Sequence, residues 1–186
     1  IYDEARRGWL YTLDKNPMGQ KALKVGEWNH YRVEAIGNSI RTWVNGVPCA
    51  DLLDDMTPSG LIALQVHSIG NDSTRAGLEV KWRNIRIMTE ELEKYRKPET
   101  KEIPQVNYLS NVLSEREAEE GWKLLFDGKT TDGWINAKSG KFPENGWEIV
   151  DGTLTFNPEA KQPGGGGDIV TTEKFRNFEL SVDFKY

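Results

Sequence analysis

Gln65 and His67 are the residues whose type and spacing point most directly to chemistry. They belong to residues 59–72, SGLIALQVHSIGND, where polar and apolar positions alternate with the period of a β-strand. The opposite face of this strand is aliphatic and consists of Ile62, Leu64 and Val66. Because side chains two positions apart share one face of a regular strand, we expect Gln65 and His67 to be neighbours.

His67 is the candidate general base of this pair. The ordinary pKa of histidine, ~6.5, lies near neutral pH, where a base works best. Gln65 would donate a hydrogen bond to a substrate oxygen or hold the imidazole in place. The alternative is a half-buried histidine at a strand end that helps to pack the sheet. We expect His30, the other histidine of the chain, to be an exposed turn residue.

Two acidic patterns are weaker candidates. Glu179 and Asp183 lie four residues apart on one predicted strand, which separates their Cα atoms by about 13 Å at 3.3 Å per residue. The paired carboxyls of glycosidases lie about 5 to 9.5 Å apart, so we expect a solvated face instead. Asp51, Asp54 and Asp55 offer oxygen ligands for a cation, but their spacing matches no calcium loop. We therefore predict a solvated loop, no metal site and no cofactor, although a divalent metal is the alternative for this loop.

Tryptophan is unusually frequent, with seven residues in the chain. Each one either packs in a core or offers a flat face to a sugar ring, and packing is the favoured interpretation for any single tryptophan. Trp28 and Trp43 are the candidates for lining a sugar cleft. Arg83 lies where the strand alternation changes phase, as at a β-bulge, and would reach a cleft rim. The alternative for Arg83 is a structural ion pair with a loop carboxylate.

The elements that must position these residues are mostly strands, because period-two alternation covers most of the chain. The predicted strands lie within residues 30–37, 39–46, 59–68, 77–88, 147–156 and 177–186. Hairpin turns are predicted at Gly37-Asn38, Asn45-Gly46 and Asp151-Gly152. The glycine run in residues 161–169, KQPGGGGDI, indicates a loop. The pattern predicts an all-β, antiparallel fold.

Residues 89–120 interrupt this pattern with a charged stretch that contains Pro98 and Pro104 and reads as a connector. Two short helices are predicted inside it. One follows a cap at Thr89, and the other follows the capping box of Ser114 and Glu117.

Composition excludes several classes of protein. The net charge of −5 and the pI of about 5.2 argue against a nucleic-acid partner, which requires a basic face. No window is apolar enough for a membrane-spanning helix. Cys49 is the single cysteine, so an internal disulfide is excluded. Because the start of the chain shows no signal-peptide pattern, we expect a mature product or a piece of a longer protein.

Six short motifs together resemble one family. They are LFDGK (125–129), DGW (132–134), EWN (27–29), WVNG (43–46), LQVH (64–67) and RNIRI (83–87). The chain resembles the 3-keto-disaccharide hydrolase domain family. This resemblance implies a jelly-roll β-sandwich of the concanavalin A-like type, in agreement with the predicted strands.

The order of the resembling parts is unusual. Residues 1–88 are similar to the closing half of such a domain, and residues 121–186 are similar to the opening half of one. We predict two incomplete sandwich domains of a tandem protein, joined by the linker 89–120 and partners of each other within one chain. The alternative is a single permuted sandwich over 1–186. The family's middle strands, which line the sugar cleft, have no counterpart in either half.

The resemblance implies a 3-keto-glycoside as substrate. Such a substrate is cleaved after a base removes the C2 proton, which makes His67 the base and Gln65 its neighbour in the site. The substrate-binding residues implied are Trp28, Asn29, Trp43, Asn45 and Arg83. Two alternatives are a non-catalytic, lectin-like carbohydrate-binding module and a scaffold half that is inactive until the missing strands are supplied. Members of this family are usually exported by bacteria, so a periplasmic or cell-surface location is expected.

Overall fold

The computed structural model describes residues 1–66, 68, 70–157 and 167–185. The chain divides into two compact units, Ile1–Tyr108 and Leu109–Tyr186, which are considered separately. In the described residues the strands are β1 Tyr2–Asp3, β2 Gly8–Trp9, β3 Tyr31–Ile36, β4 Ser39–Val44, β5 Val47–Leu53, β6 Val106–Asn107, β7 Trp134–Asn136, β8 Trp147–Val150, β9 Thr153–Phe156 and β10 Ile169–Thr171. The helices are α1 Pro17–Gln20 and α2 Glu115–Glu119, with 3₁₀ turns at Ser73–Arg75 and Leu92–Tyr95. The fold is all-β, as predicted, while the jelly-roll order stays a prediction.

The first unit is built on a four-stranded sheet in the order β3-β4-β5-β6. The turn between β4 and β5 has the conformation that its sequence predicts, because Asn45 (φ 51°) and Gly46 (φ 83°) are both left-handed. The β3–β4 pair is antiparallel and closes at Ile36 opposite Ser39. The β4–β5 pair is also antiparallel, with a register shift between Thr42 and Trp43.

Strand β6 was not predicted, and it runs parallel to β5. It lies inside the stretch that we predicted to be a connector. Ile103 is buried, and Val106 packs against the core cluster of the unit. Burial of these two side chains explains why this part of residues 89–120 joins the sheet instead of staying solvated.

The core of the first unit is a cluster on β5 and the segment after β2. Leu52 is fully buried, and it shares the cluster with Leu10, Tyr11 and Ala50. The Tyr11 hydroxyl donates to the Pro104 carbonyl at 2.7 Å, which satisfies its polar end. This cluster therefore fixes the short hairpin β1–β2 to the sheet through the residues that follow it.

The polar face of β3 is the buried one. Glu34 is buried, whereas Tyr31 and Val33 on the alternate face are exposed. The alternation that we predicted for this strand is confirmed, but its apolar face is not covered within the described residues. Arg41 on β4 lies opposite Glu34 and is also buried.

The second unit contains two small antiparallel pairs, β8–β9 and β7–β10. The β8–β9 hairpin confirms the turn predicted at Asp151-Gly152, where both residues have positive φ (47° and 74°). The Trp147 and Phe156 rings pack against each other across this hairpin, with centroids 5.4 Å apart and planes inclined at 58°. Helix α2 begins at the predicted capping box, in which Glu117 N donates to Ser114 Oγ. Residues 161–166 of the predicted glycine loop, together with 158–160 and Tyr186, lie outside the described residues.

Three predicted strands are absent from the sheets. None of the described residues within 59–68, 77–88 and 177–185 belongs to a strand of the structure. Their aliphatic and aromatic side chains are exposed, for example Ile62, Ile85 and Phe184. A strand requires a hydrogen-bonded neighbour, and alternation in the sequence does not supply one. At the position of the predicted bulge, Asn84 has a positive φ of 55°.

The helices differ in detail from the prediction. Thr89 does not cap a helix; the 3₁₀ turn Leu92–Tyr95 follows Glu91, whose side chain makes no capping bond. Helix α1 was not predicted, and its cap is Asn16, whose Oδ1 accepts from Gly19 N at 2.9 Å. In the part of the chain that the structure describes, every helix is too short or too polar to cross a membrane.

Candidate functional site

Gln65 is exposed and close to a carboxylate that the sequence pattern did not single out. Its Nε2 donates to Oε2 of Glu4 at 3.5 Å. His67, the predicted base, lies outside the described residues. The two residues in contact are 61 positions apart, so neither periodicity nor spacing could have brought Glu4 to notice.

Glu4 lies at the turn of the β1–β2 hairpin, and ion pairs to the buried carboxylate of Asp3 anchor this turn. Asp3 accepts from Arg6 Nε at 2.8 Å and from Arg7 Nε at 2.7 Å. Arg7 also donates to both carboxylate oxygens of Asp54, at 2.9 and 2.7 Å. Bidentate geometry of this kind fixes orientation as well as charge.

The same contacts account for the electrostatics of the hairpin. The hydrogen bond from Arg7 is the largest influence on Asp3 and on Asp54, and it holds the pKa of both carboxyls below the ordinary range, against burial. These two carboxylates also hold the pKa of Arg7 above its ordinary range. At neutral pH Asp3, Asp54 and Arg7 are therefore all ionised, and their ion pairs hold the hairpin in place.

Asn29 and Asn45, two of the predicted substrate-binding residues, contact each other. Asn45 Nδ2 donates to Asn29 Oδ1 at 2.7 Å and to the Ala22 carbonyl at 2.8 Å. Asn45 Oδ1 accepts from His30 N at 2.9 Å. Asn29 Nδ2 donates to the Lys24 carbonyl at 2.8 Å. These bonds join the loop before β3 to the β4–β5 turn, and they engage the amides with protein groups.

Trp28 and Arg83 also come together. The Arg83 guanidinium lies over the Trp28 ring, 3.9 Å from its centroid. Arg83 therefore stacks on an aromatic face, whereas the structural alternative that we gave was a loop carboxylate. Since Trp28 is followed by Asn29, four of the predicted residues form one connected group: Trp28, Asn29, Asn45 and Arg83.

Trp43 has a different environment from Trp28. Only 8% of it is exposed, and the guanidinium groups of Arg32 and Arg41 lie 5.9 and 5.5 Å from its ring centroid. These contacts favour the packing interpretation that we gave for any single tryptophan.

Asp51 and Asp54 do not belong to the solvated loop that we predicted, whereas Asp55 is exposed. Asp51 lies within β5, is buried, and accepts from Gln105 Nε2 at 3.2 and 3.3 Å, while Asp54 pairs with Arg7. Gln105 and Arg7 are distant in sequence from these aspartates, so spacing alone does not reveal the contacts. Within the described ranges, no group of three or more histidine, cysteine, aspartate or glutamate side chains is placed to hold a metal ion.

Comparison with known proteins identifies the family. The model of the 3-keto-alpha-glucoside-1,2-lyase-like domain matches residues 1–88 and 121–186. The chain belongs to this family, which confirms the resemblance carried by the six motifs.

One curated protein gives a partial match. A 3-keto-disaccharide hydrolase of Bacteroides thetaiotaomicron is 39% identical to this chain over 69 residues. Those residues are 36% of this chain and 23% of that protein. The match thus spans less than a quarter of the length of the relative.

Proposed function

We propose that this chain is part of a carbohydrate-processing protein that cleaves 3-keto-glycosides, with His67 as the base and Gln65 beside it. The observation that carries the proposal is membership of the 3-keto-alpha-glucoside-1,2-lyase-like domain family over residues 1–88 and 121–186. The name of the partial relative, a 3-keto-disaccharide hydrolase, supports the same substrate class.

The chemistry requires one base and a means of stabilising an enolate. The C3 ketone acidifies the C2 hydrogen, and His67 accepts that proton while the C2–H electron pair forms the enolate. The pair then makes the C1–C2 double bond, and the C1–O bond breaks with its electrons leaving on the glycosidic oxygen, which takes up the proton that His67 carries. Addition of water across the double bond completes hydrolysis. An amide N–H of Gln65 is suited to stabilise the enolate oxygen.

Two features of the first unit support this assignment. Gln65 is exposed, and its side chain donates a hydrogen bond to the exposed carboxylate of Glu4, so both side chains can meet a ligand. The connected group of Trp28, Asn29, Asn45 and Arg83 lies in the same unit. We propose that Trp28 and Arg83 lie at the cleft rim, while Asn29 and Asn45 shape the loops behind it.

The test is turnover of a 3-keto-glucoside by the protein that carries this chain at its natural length. We expect His67→Ala to lower kcat by about 10²- to 10⁴-fold, the usual contribution of a general base. His30→Ala is the matched control, because it removes the second histidine of the chain. The bonds between His30 and Asn45 use the His30 backbone, so the substitution leaves them in place. Turnover that survives His67→Ala unchanged, in a folded variant, would rule out His67 as the base.

We also propose that the domains are arranged in tandem and that the protein is exported to the periplasm or the cell surface. Export is testable by fractionation of the source bacterium with an antibody to this chain. Signal confined to the cytoplasmic fraction would contradict it.

A further inference from the structure

The hairpin β1–β2 presents an exposed aromatic pair. Tyr2 and Trp9 are directly opposite each other in the strand register, and their ring centroids lie 5.1 Å apart at an interplanar angle of 60°. Tyr2 is 53% exposed and Trp9 is 67% exposed. Large aromatic side chains are seldom left this open, because their burial is a major source of stability.

The hairpin is held in place from its other face. Asp3 is buried there between Arg6 and Arg7, and Arg7 connects the turn to Asp54. Arg6 Nη1 also donates to Thr57 Oγ1 at 3.0 Å. The residues after β2 enter the core through Leu10. The aromatic pair is therefore carried on a fixed support, which reduces the entropy lost when a ligand binds.

The hairpin that carries the aromatic pair also carries an exposed polar group at its turn. Glu4, at the turn of this hairpin, is two positions from Tyr2, and both residues are exposed while the intervening Asp3 is buried. Glu4 is bonded to Gln65, which the proposed function places in the site. Together they offer carboxylate and amide oxygens as acceptors and an amide N–H as donor.

This combination fits a sugar. The C–H face of a pyranose covers an aromatic ring, while its hydroxyls both donate and accept hydrogen bonds. The charged groups around the turn are Asp3, Glu4, Arg6, Arg7 and Asp54. Two arginines against three carboxylates leave a net negative charge, which disfavours an acidic sugar.

We propose that Tyr2, Trp9, Glu4 and Gln65 form a binding subsite for a neutral pyranose residue of the glycan. This inference rests on the proposed function for the involvement of Gln65. It adds Glu4 and the hairpin aromatics as substrate-positioning residues, which none of the sequence motifs contains. The subsite binds the sugar ring itself and therefore does not require a ketone at C3.

The experiment is calorimetric titration of the protein at its natural length with a plain, non-keto glucose disaccharide, followed by tryptophan fluorescence. We expect Trp9→Ala to weaken binding about tenfold, equivalent to one stacked ring, and to remove the fluorescence change. Glu4→Gln keeps the shape and an acceptor, and we expect a smaller loss. In Glu4→Gln, the preference for a neutral disaccharide over a uronic-acid analogue should also decrease.

Matched controls are Tyr95→Ala and Glu90→Gln, which alter an exposed aromatic and an exposed carboxylate outside the hairpin. Unchanged affinity in both Trp9→Ala and Glu4→Gln, with native circular dichroism, would overturn the subsite. That result differs from failure of the proposed function. The proposed function fails if the wild-type protein does not turn over a 3-keto-glucoside. Binding that depends on Trp9 without turnover would keep the subsite and reject the enzyme.

Discussion

At the scale of single residues, the most informative group is the buried carboxylate of Glu34. It accepts from the guanidinium groups of Arg41 and Arg32 and from Lys97 N at 3.0 Å. Burial alone would raise the pKa of Glu34, but the Lys97 N–H and the Arg41 guanidinium outweigh it and lower the pKa. A sequence pattern that marks the polar face of β3 as the solvated one misses this network.

We predict that Glu34→Gln lowers the free energy of unfolding by about 3 kcal/mol, the low end for breaking a buried ion pair. The low end applies because Arg41 retains its bonds to the Lys97 and Pro98 carbonyls. Urea denaturation measures the change, and Glu90→Gln, an exposed carboxylate, is the control with less than about 0.5 kcal/mol expected. Equal stability of the two variants would show that Glu34 is solvated.

Asp54 gives a pH dependence. Its folded pKa is held below the unfolded value, first by the hydrogen bond from Arg7, so the unfolded state binds more protons as the solution becomes acidic. The stabilisation is fully present above the ordinary aspartate pKa of about 3.9, and it is lost as the pH falls from there through the lower folded pKa. We predict a shallower loss of unfolding free energy below pH ~4 in Asp54→Asn than in the wild type. Identical slopes from urea titrations across this range would contradict this assignment.

At the scale of elements, the β4–β5 turn combines local and tertiary roles. Asn45 has a left-handed backbone, and its side chain holds His30 N and the Ala22 carbonyl. We predict that Asn45→Ala lowers the free energy of unfolding by about 2–3 kcal/mol, from the lost bonds and the left-handed strain. Asn45→Gly, which relieves the strain, should lose less.

Asn38→Ala in the β3–β4 turn is the matched control, because the contact found for Asn38 is through its backbone carbonyl. Thermal melts would show the order of the variants. If Asn45→Ala is as stable as Asn38→Ala, the side-chain bonds of Asn45 do not hold the turn, and its amide is free for substrate.

The hairpins could be predicted from sequence because their information is local. Asn45-Gly46 and Asp151-Gly152 adopt the positive φ that these residue pairs favour, and the capping box spans only the four residues from Ser114 to Glu117. The strands expected at 77–88 and 177–186 could not be predicted reliably from local sequence. Alternation indicates which face is apolar, but it does not indicate which strand pairs with it.

The candidate site divides along the same line. The pairing of Asn29 with Asn45 lies within one short loop-and-hairpin region, so nearby motifs contained both residues. The contact between Gln65 and Glu4 joins positions far apart in sequence, and β1 is only two residues long, too short for any periodicity to mark. Sequence patterns found residues that lie in recognisable motifs, and they missed Glu4, which only a tertiary contact brings to Gln65.

At the scale of the whole molecule, each unit carries an apolar segment that its own described strands do not cover. Leu78 and Ile85 are exposed in the first unit, and Phe178 and Phe184 are exposed in the second. Exposed aliphatic and aromatic positions in strand-like order are suited to pairing with further strands. Tandem and permuted arrangements differ in which strands would do so.

The last prediction uses leucines as matched reporters of this exposure. Leu52 is fully buried, whereas Leu78 is 74% and Leu180 is 61% exposed. In the isolated 186-residue chain, Leu52→Ala should therefore lower the free energy of unfolding by about 2–5 kcal/mol. Leu78→Ala and Leu180→Ala should each change it by less than about 0.5 kcal/mol. Both of these variants should also bind less of a hydrophobic dye than the wild type. A loss of more than about 2 kcal/mol in either exposed variant, together with a sharp monomeric melt, would mean that these segments are buried strands and would favour the single permuted sandwich.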